Sequence, residues 1–159
     1  MGGGYDRLGP SFCAAELEDS NMVLRDRHPI TCFLIVEHTS KEALIRKQVL
    51  RLLLANCGWL YFYGRHEPLW HWIADETFVR LHPSSNDETC CCTVDCPDID
   101  DFVNELYLSV SAGSNVPHVT LLLYDDAGIY KDVLERLESL RAEAHNNCEA
   151  DCTGDRNGV

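Results

Sequence analysis

Apolar residues along the chain fall into short continuous runs that alternate with stretches of helical spacing. Thr31–Val36, Trp59–Tyr63, Cys90–Val94 and Val119–Tyr124 are each the length of a strand. The first, extended back to Ile30 behind Pro29, is rich in β-branched and aromatic residues and reads as a central strand covered on both faces. After it, Thr39-Ser-Lys-Glu42 has capping-box spacing and predicts a helix carrying Leu44, Ile45, Val49, Leu52 and Leu53, ended by Asn56 and Gly58. The second strand stops at Gly64, and Pro68 fits the first turn of a helix bearing Leu69, Trp72 and Ile73, with Phe78–Leu81 either prolonging it or forming a short extended piece. Asp98 is a good N-cap for a helix in which Ile99, Phe102, Val103, Leu106, Tyr107 and Val110 recur at intervals of three and four up to Gly113. The last helix carries Ile129, Val133, Leu134, Leu137 and Leu140, and its periodicity fades beyond about Ala144.

This alternation predicts an α/β fold: a single three-layer Rossmann-like domain over residues 29–144, with four mainly parallel strands in the order 2-1-3-4 and helices on both faces. Right-handed crossovers then place the first helix on the face opposite the later ones, with a switch point between the first and third strands. Residues 1–28 read as a flexible arm in which Phe12–Leu17 makes one helical turn, His82–Glu88 as a polar loop, and residues 145–159 as a disordered acidic tail.

Charge narrows the classes of partner. Lys plus Arg total 13 against 26 Asp plus Glu, a net charge of −13 that repels phosphate backbones and anionic membranes and favours basic partners. The chain opens without an apolar leader, no apolar stretch approaches the roughly 20 residues needed to span a bilayer, and Asp6 stands where a myristoylation motif wants Ser or Thr. A cytoplasmic location is the expectation. The nine cysteines are odd in number and several lie inside apolar runs, which favours free thiols over a disulfide scaffold. Cys92 with Cys96 and Cys148 with Cys152 could be drawn together as a four-thiolate zinc site, although structural zinc pairs usually use shorter spacing.

In an open parallel sheet, ligands bind outside the carboxyl ends of the strands. The loops there bear Glu37 and His38, Arg65 and His66, Asp95 and Cys96, and Asp125 and Asp126. The predicted binding crevice therefore comprises Glu37, His38, Arg65, His66, Trp70, Asp95 and Cys96. Glu37, Asp95, Asp125 and Asp126 offer oxygen ligands for Mg²⁺, while the alternative for each is helix capping in the favourable field of a helix N-terminus. Cys96 is a candidate nucleophile at a helix start with His66 or His38 as base, and His66 a candidate acid or base. The cradle of tyrosine phosphatases is excluded because Phe102 stands where its arginine is required. The stretch Gly64-Arg-His-Glu-Pro-Leu-Trp-His-Trp72 concentrates two imidazoles, a guanidinium and two indoles; its plainer reading has Trp72 in the core, Trp70 half-buried and the histidines solvated.

Two resemblances follow from these residues. Val36-Glu37-His-Thr-Ser-Lys-Glu-Ala-Leu44 resembles the first acidic motif of Toprim nucleases and primases, and Tyr124-Asp125-Asp126-Ala-Gly128 resembles their later acidic turn, except that the Toprim pair is Asp-x-Asp. That resemblance implies Mg²⁺-dependent phosphoryl transfer. The order of elements resembles a small bacterial family of uncharacterised α/β domains, carried by Gly58–Gly64, Trp70 and Asp95-Cys-Pro-Asp-Ile-Asp-Asp101 and spanning about Pro29 to Asp125. It implies the fold and brings no catalytic residues. The leading functional expectation is a non-catalytic, inhibitor- or immunity-like interaction module that binds a basic protein partner without cofactor. The alternatives are the Mg²⁺-dependent Toprim-like enzyme and a zinc-stabilised binding domain.

Overall fold

A computed structural model describes residues 12–19, 29–84, 90–111 and 118–153, with side chains up to residue 147. Five strands, β1 (Phe12–Glu16), β2 (Ile30–Ile35), β3 (Cys57–Tyr63), β4 (Cys92–Asp95) and β5 (Val119–Tyr124), form one sheet in the order β1-β5-β2-β3-β4, every neighbouring pair parallel. The helices are α1 (Glu42–Leu54), α2 (Glu67–Leu81), α3 (Ile99–Ser111) and α4 (Ala127–Thr153).

The period of two along each strand builds two cores. Cys32, Leu34, Leu60, Phe62, Leu121 and Leu123 face α1 and α2, where they meet Ile45, Val49, Leu52, Trp70 and Ile73. Phe33, Ile35 and Leu122 point the other way, onto Phe102, Val103 and Leu106 of α3 and Val133 and Leu137 of α4. Because β2 and β5 are buried from both sides, every position on them can be apolar, which is why both are plain in the sequence.

The order differs from the expected 2-1-3-4. The chain advances in one direction from β2 through β3 to β4, which puts α1 and α2 on the same face, and then returns across the opposite face through α3 to β5. The switch point consequently lies between β2 and β5, not between β2 and β4. Phe12–Glu16, within the stretch expected to make a helical turn, is an edge strand, paired from Phe12↔Thr120 to Glu16↔Tyr124. Phe78–Leu81 prolongs α2, β4 starts two residues later than expected, and α4 continues to Thr153, well past Ala144. The remaining parts of the expected arm and tail, residues 1–11, 20–28 and 154–159, and most of the His82–Glu88 loop lie outside the described residues.

Local chemistry explains the joints. Asn56, with φ 66, turns the chain from α1 into β3, and the register shift opposite Ile30 and Thr31 accommodates Gly58. The expected capping box is not formed: Lys41 is the N-cap of α1 with no side-chain cap bond. Asp98 does cap α3, its Oδ1 accepting from the Asp101 amide at 2.9 Å.

Candidate functional site

All five strands run the same way, so their carboxyl ends share one edge of the sheet. Two acidic corners form there, and they use similar residues differently.

The first corner is the switch point. The Asp125 carboxylate accepts three backbone amides from the loop after β2, those of Glu37 at 2.8 Å, His38 at 3.0 Å and Thr39 at 2.7 Å. Asp126 caps α4 by accepting from the Ile129 amide at 2.8 Å and also accepts from His38 Nε2 at 2.7 Å. The amide bond, and then His38, hold the Asp126 carboxyl below its usual range. Glu37 is engaged as well, accepting from the Arg65 amide at 2.9 Å with the Arg65 guanidinium at 3.5 Å. The strand junction is tight: Gly64 has φ +121, and a Cβ there would lie 2.9 Å from the Val36 carbonyl carbon. Beside this corner, the ends of β1, β2 and β5 enclose a cleft of about 330 Å³ whose lining includes Glu16, Glu18, His38, Thr39 and Asp125.

The second corner is at the β3–β4 side. Glu67 and His71, four apart in the first turns of α2, share a helix face with a carboxylate and an imidazole directed at Asp95, the last residue of β4. Their ligand atoms lie within 4.8 Å of one another. His71 Nδ1 bonds the Asp95 carboxylate, while Nε2 lies 2.8 Å from Thr93 Oγ1 and 3.2 Å from Asp75 Oδ2. The Thr93 hydroxyl itself donates to Asp75 at 2.8 Å, and the imidazole stacks on Phe62 with centroids 6.1 Å apart. Partial burial, followed by the adjoining Asp95 carboxylate, pushes the Glu67 carboxyl up to about 7.

The predicted site residues are thus divided. Glu37, His38, Arg65, Asp125 and Asp126 meet at the switch point, whereas Asp95 sits three strand spacings from β5, about 14 Å, with Glu67 and His71. The four carboxylates proposed for Mg²⁺ are not gathered into one cluster. Cys96 is buried against Phe102, and burial, reinforced by Glu105 and Asp101, pushes its thiol up to about 12. No hydrogen bond links it to His38 or His66 among the described residues, so its geometry is that of a core thiol rather than a nucleophile. His66 is the N-cap of α2. The tryptophans are reversed relative to the plainer reading: Trp70 is fully buried with Nε1 donating to the Thr39 carbonyl at 2.9 Å, and Trp72 is exposed beneath Arg46. Cys92 is a free thiol, and the side chains of Cys148 and Cys152 lie outside those described.

Sequence reasoning missed Glu67, His71, Asp75 and Thr93 as a group, and Glu16 and Glu18. The spacing of Glu67 and His71 was a readable signal, since positions four apart on a helix face the same way. Glu16 carried none, because β1 itself was unrecognised. No helix among the described residues is long and apolar enough to cross a membrane. Comparison with protein-family models, curated proteins and solved structures finds no match to this chain.

Proposed function

We propose that the protein is a non-catalytic interaction module that takes a basic side chain of a protein partner into the cleft at the switch point. The observation that carries this reading is the cleft's lining: Glu16, Glu18 and Asp125 line it, and among the described lining residues there is no lysine or arginine. Asp125 is spent on three amides, which leaves the exposed Glu16 and Glu18 to meet an incoming cation. Among the described residues, several cationic side chains are paired internally, as Arg46 and Arg80 with Glu76, Arg65 with Glu37, and Arg136 with Asp100 and Asp132. The excess of 26 acidic over 13 basic residues therefore projects a field that speeds encounter with a basic surface.

The test is affinity capture from the source cells by the wild-type chain, a Glu16→Lys/Glu18→Lys variant and a Glu138→Lys/Glu143→Lys variant. The last makes the same charge change on α4, beginning about 16 Å along the helix from its start. A basic partner retained by the α4 variant, lost by the cleft variant and captured with an on-rate that falls as salt is added is the expected result. A partner held equally by all three, or an on-rate indifferent to salt, contradicts it.

A further inference from the structure

The geometry points to a binding site for a divalent transition cation of the zinc and cobalt class, built from Glu67, His71 and Asp95 at the β3–β4 corner. It rests on different residues from the cleft and stands or falls separately.

The donor set has the right chemistry. One imidazole nitrogen and two carboxylate oxygens suit a borderline divalent ion, whereas Mg²⁺ and Ca²⁺ favour oxygen alone. Three protein ligands would leave positions open for water or for a group brought by a partner. The donors also come from rigid elements. Glu67 and His71 share a face of α2, Asp95 is held in register with Phe62 of β3, and the Cys96 amide that follows it donates to the Phe62 carbonyl at 2.9 Å.

Independent support comes from outside the three donors. Thr93 gives its only hydroxyl hydrogen to Asp75, so its oxygen is an acceptor toward His71 Nε2. With Nε2 held by Thr93 and Asp75, the Nδ1 atom is directed at Asp95. A metal-bound histidine characteristically gives its second ring N–H to a carboxylate or similar acceptor, which fixes tautomer and ring orientation. Phe62 beneath the ring restricts its rotation further. The arrangement that orients a ligand histidine is therefore already in place. Asp95 and Glu67, drawn together beside the imidazole, gain a counter-charge when the cation enters.

Titration of the full chain with Co²⁺, followed in the visible spectrum, tests the site, because nitrogen and oxygen ligation gives d–d bands without the thiolate charge-transfer band that cysteines would produce. One-to-one saturation without that band is expected, with at least tenfold weaker binding in Glu67→Gln, His71→Gln and Asp95→Asn. Thr93→Val, which touches only the orienting contact, should weaken binding by about 10- to 100-fold. Cys92→Ser and Cys96→Ser should bind as wild type, which separates this site from the thiolate alternative. A thiolate charge-transfer band, absence of saturation, or binding unchanged by Glu67→Gln and Asp95→Asn overturns the proposal. The first two are read on the wild-type protein and do not depend on any variant folding.

Discussion

The two corners of the carboxyl edge spend their carboxylates in opposite ways. At the switch point Asp125 holds three backbone amides, and Asp126 holds a helix N-terminus and a histidine. At the β3–β4 corner Glu67 and Asp95 face each other across His71, and Glu67 is pushed up to about 7. The first arrangement stabilises the fold; the second stores unfavourable proximity that a cation or a proton relieves. An acidic residue at a strand end is thus not informative by type alone. What distinguishes structure from function is whether donors of the chain already satisfy it.

That contrast can be broken most forcefully at Asp125. Asp125→Ala leaves three amides of the loop after β2 without their acceptor and should cost about 2–4 kcal/mol, read as a lower urea midpoint at unchanged slope. A loss below about 0.5 kcal/mol, the range of ordinary surface substitutions, would mean that water replaces the carboxylate and that the corner is not structural. Gly64→Ala comes next, since it sets a Cβ 2.9 Å from the Val36 backbone at φ +121, and should cost about 1–3 kcal/mol. Full stability in that variant would show the junction between the corners to be pliable.

Glu67→Gln sharpens the comparison from the other side. The Glu67 carboxyl is raised from an ordinary 4.5 to about 7, so the folded chain binds its proton more tightly than the unfolded chain does. Its contribution is fully present below pH 4.5 and is lost as pH rises through about 7. In metal-free buffer the variant should therefore gain on the wild type as pH rises from 5 to 8, a trend that thermal melts across that window will reveal or refute. Asp126 has the reverse sign: lowered from 3.8, it contributes stability above that value and loses it as pH falls further. Asp126→Asn should lower the melting temperature modestly at pH 7 and lose that difference toward pH 2, the smallest effect of the four.

Much of this fold is legible in the chain because burial on both faces makes β2 and β5 continuously apolar, and because α3 shows its face plainly. β1 is not, since Cys13-Ala-Ala-Glu16 has local preferences closer to helix and becomes a strand through its pairing with β5. Strand order likewise depends on which face each crossover takes, and that is decided by packing between distant segments. The tryptophans illustrate a finer limit. Trp70 and Trp72 can each be combined with Ile73 as one face of a helix, and only the contact of Trp70 with Phe62 and Thr39 sets the phase of α2. The same phase brings His71, rather than His66, to Asp95. Reading chemistry from strand-end loops alone therefore found Asp95 and overlooked the two α2 residues that face it.

The most direct measurement is the paramagnetic shift and broadening that Co²⁺ induces in the backbone amide spectrum, which places a bound cation without altering any residue. At substoichiometric Co²⁺ the amides of Glu67, His71 and Asp95 are expected to shift or lose intensity first, while those of Glu37, His38 and Thr39, already bonded to Asp125, stay sharp and unmoved. Broadening that begins at residues 37–39, or spreads evenly over the acidic surface, would contradict it.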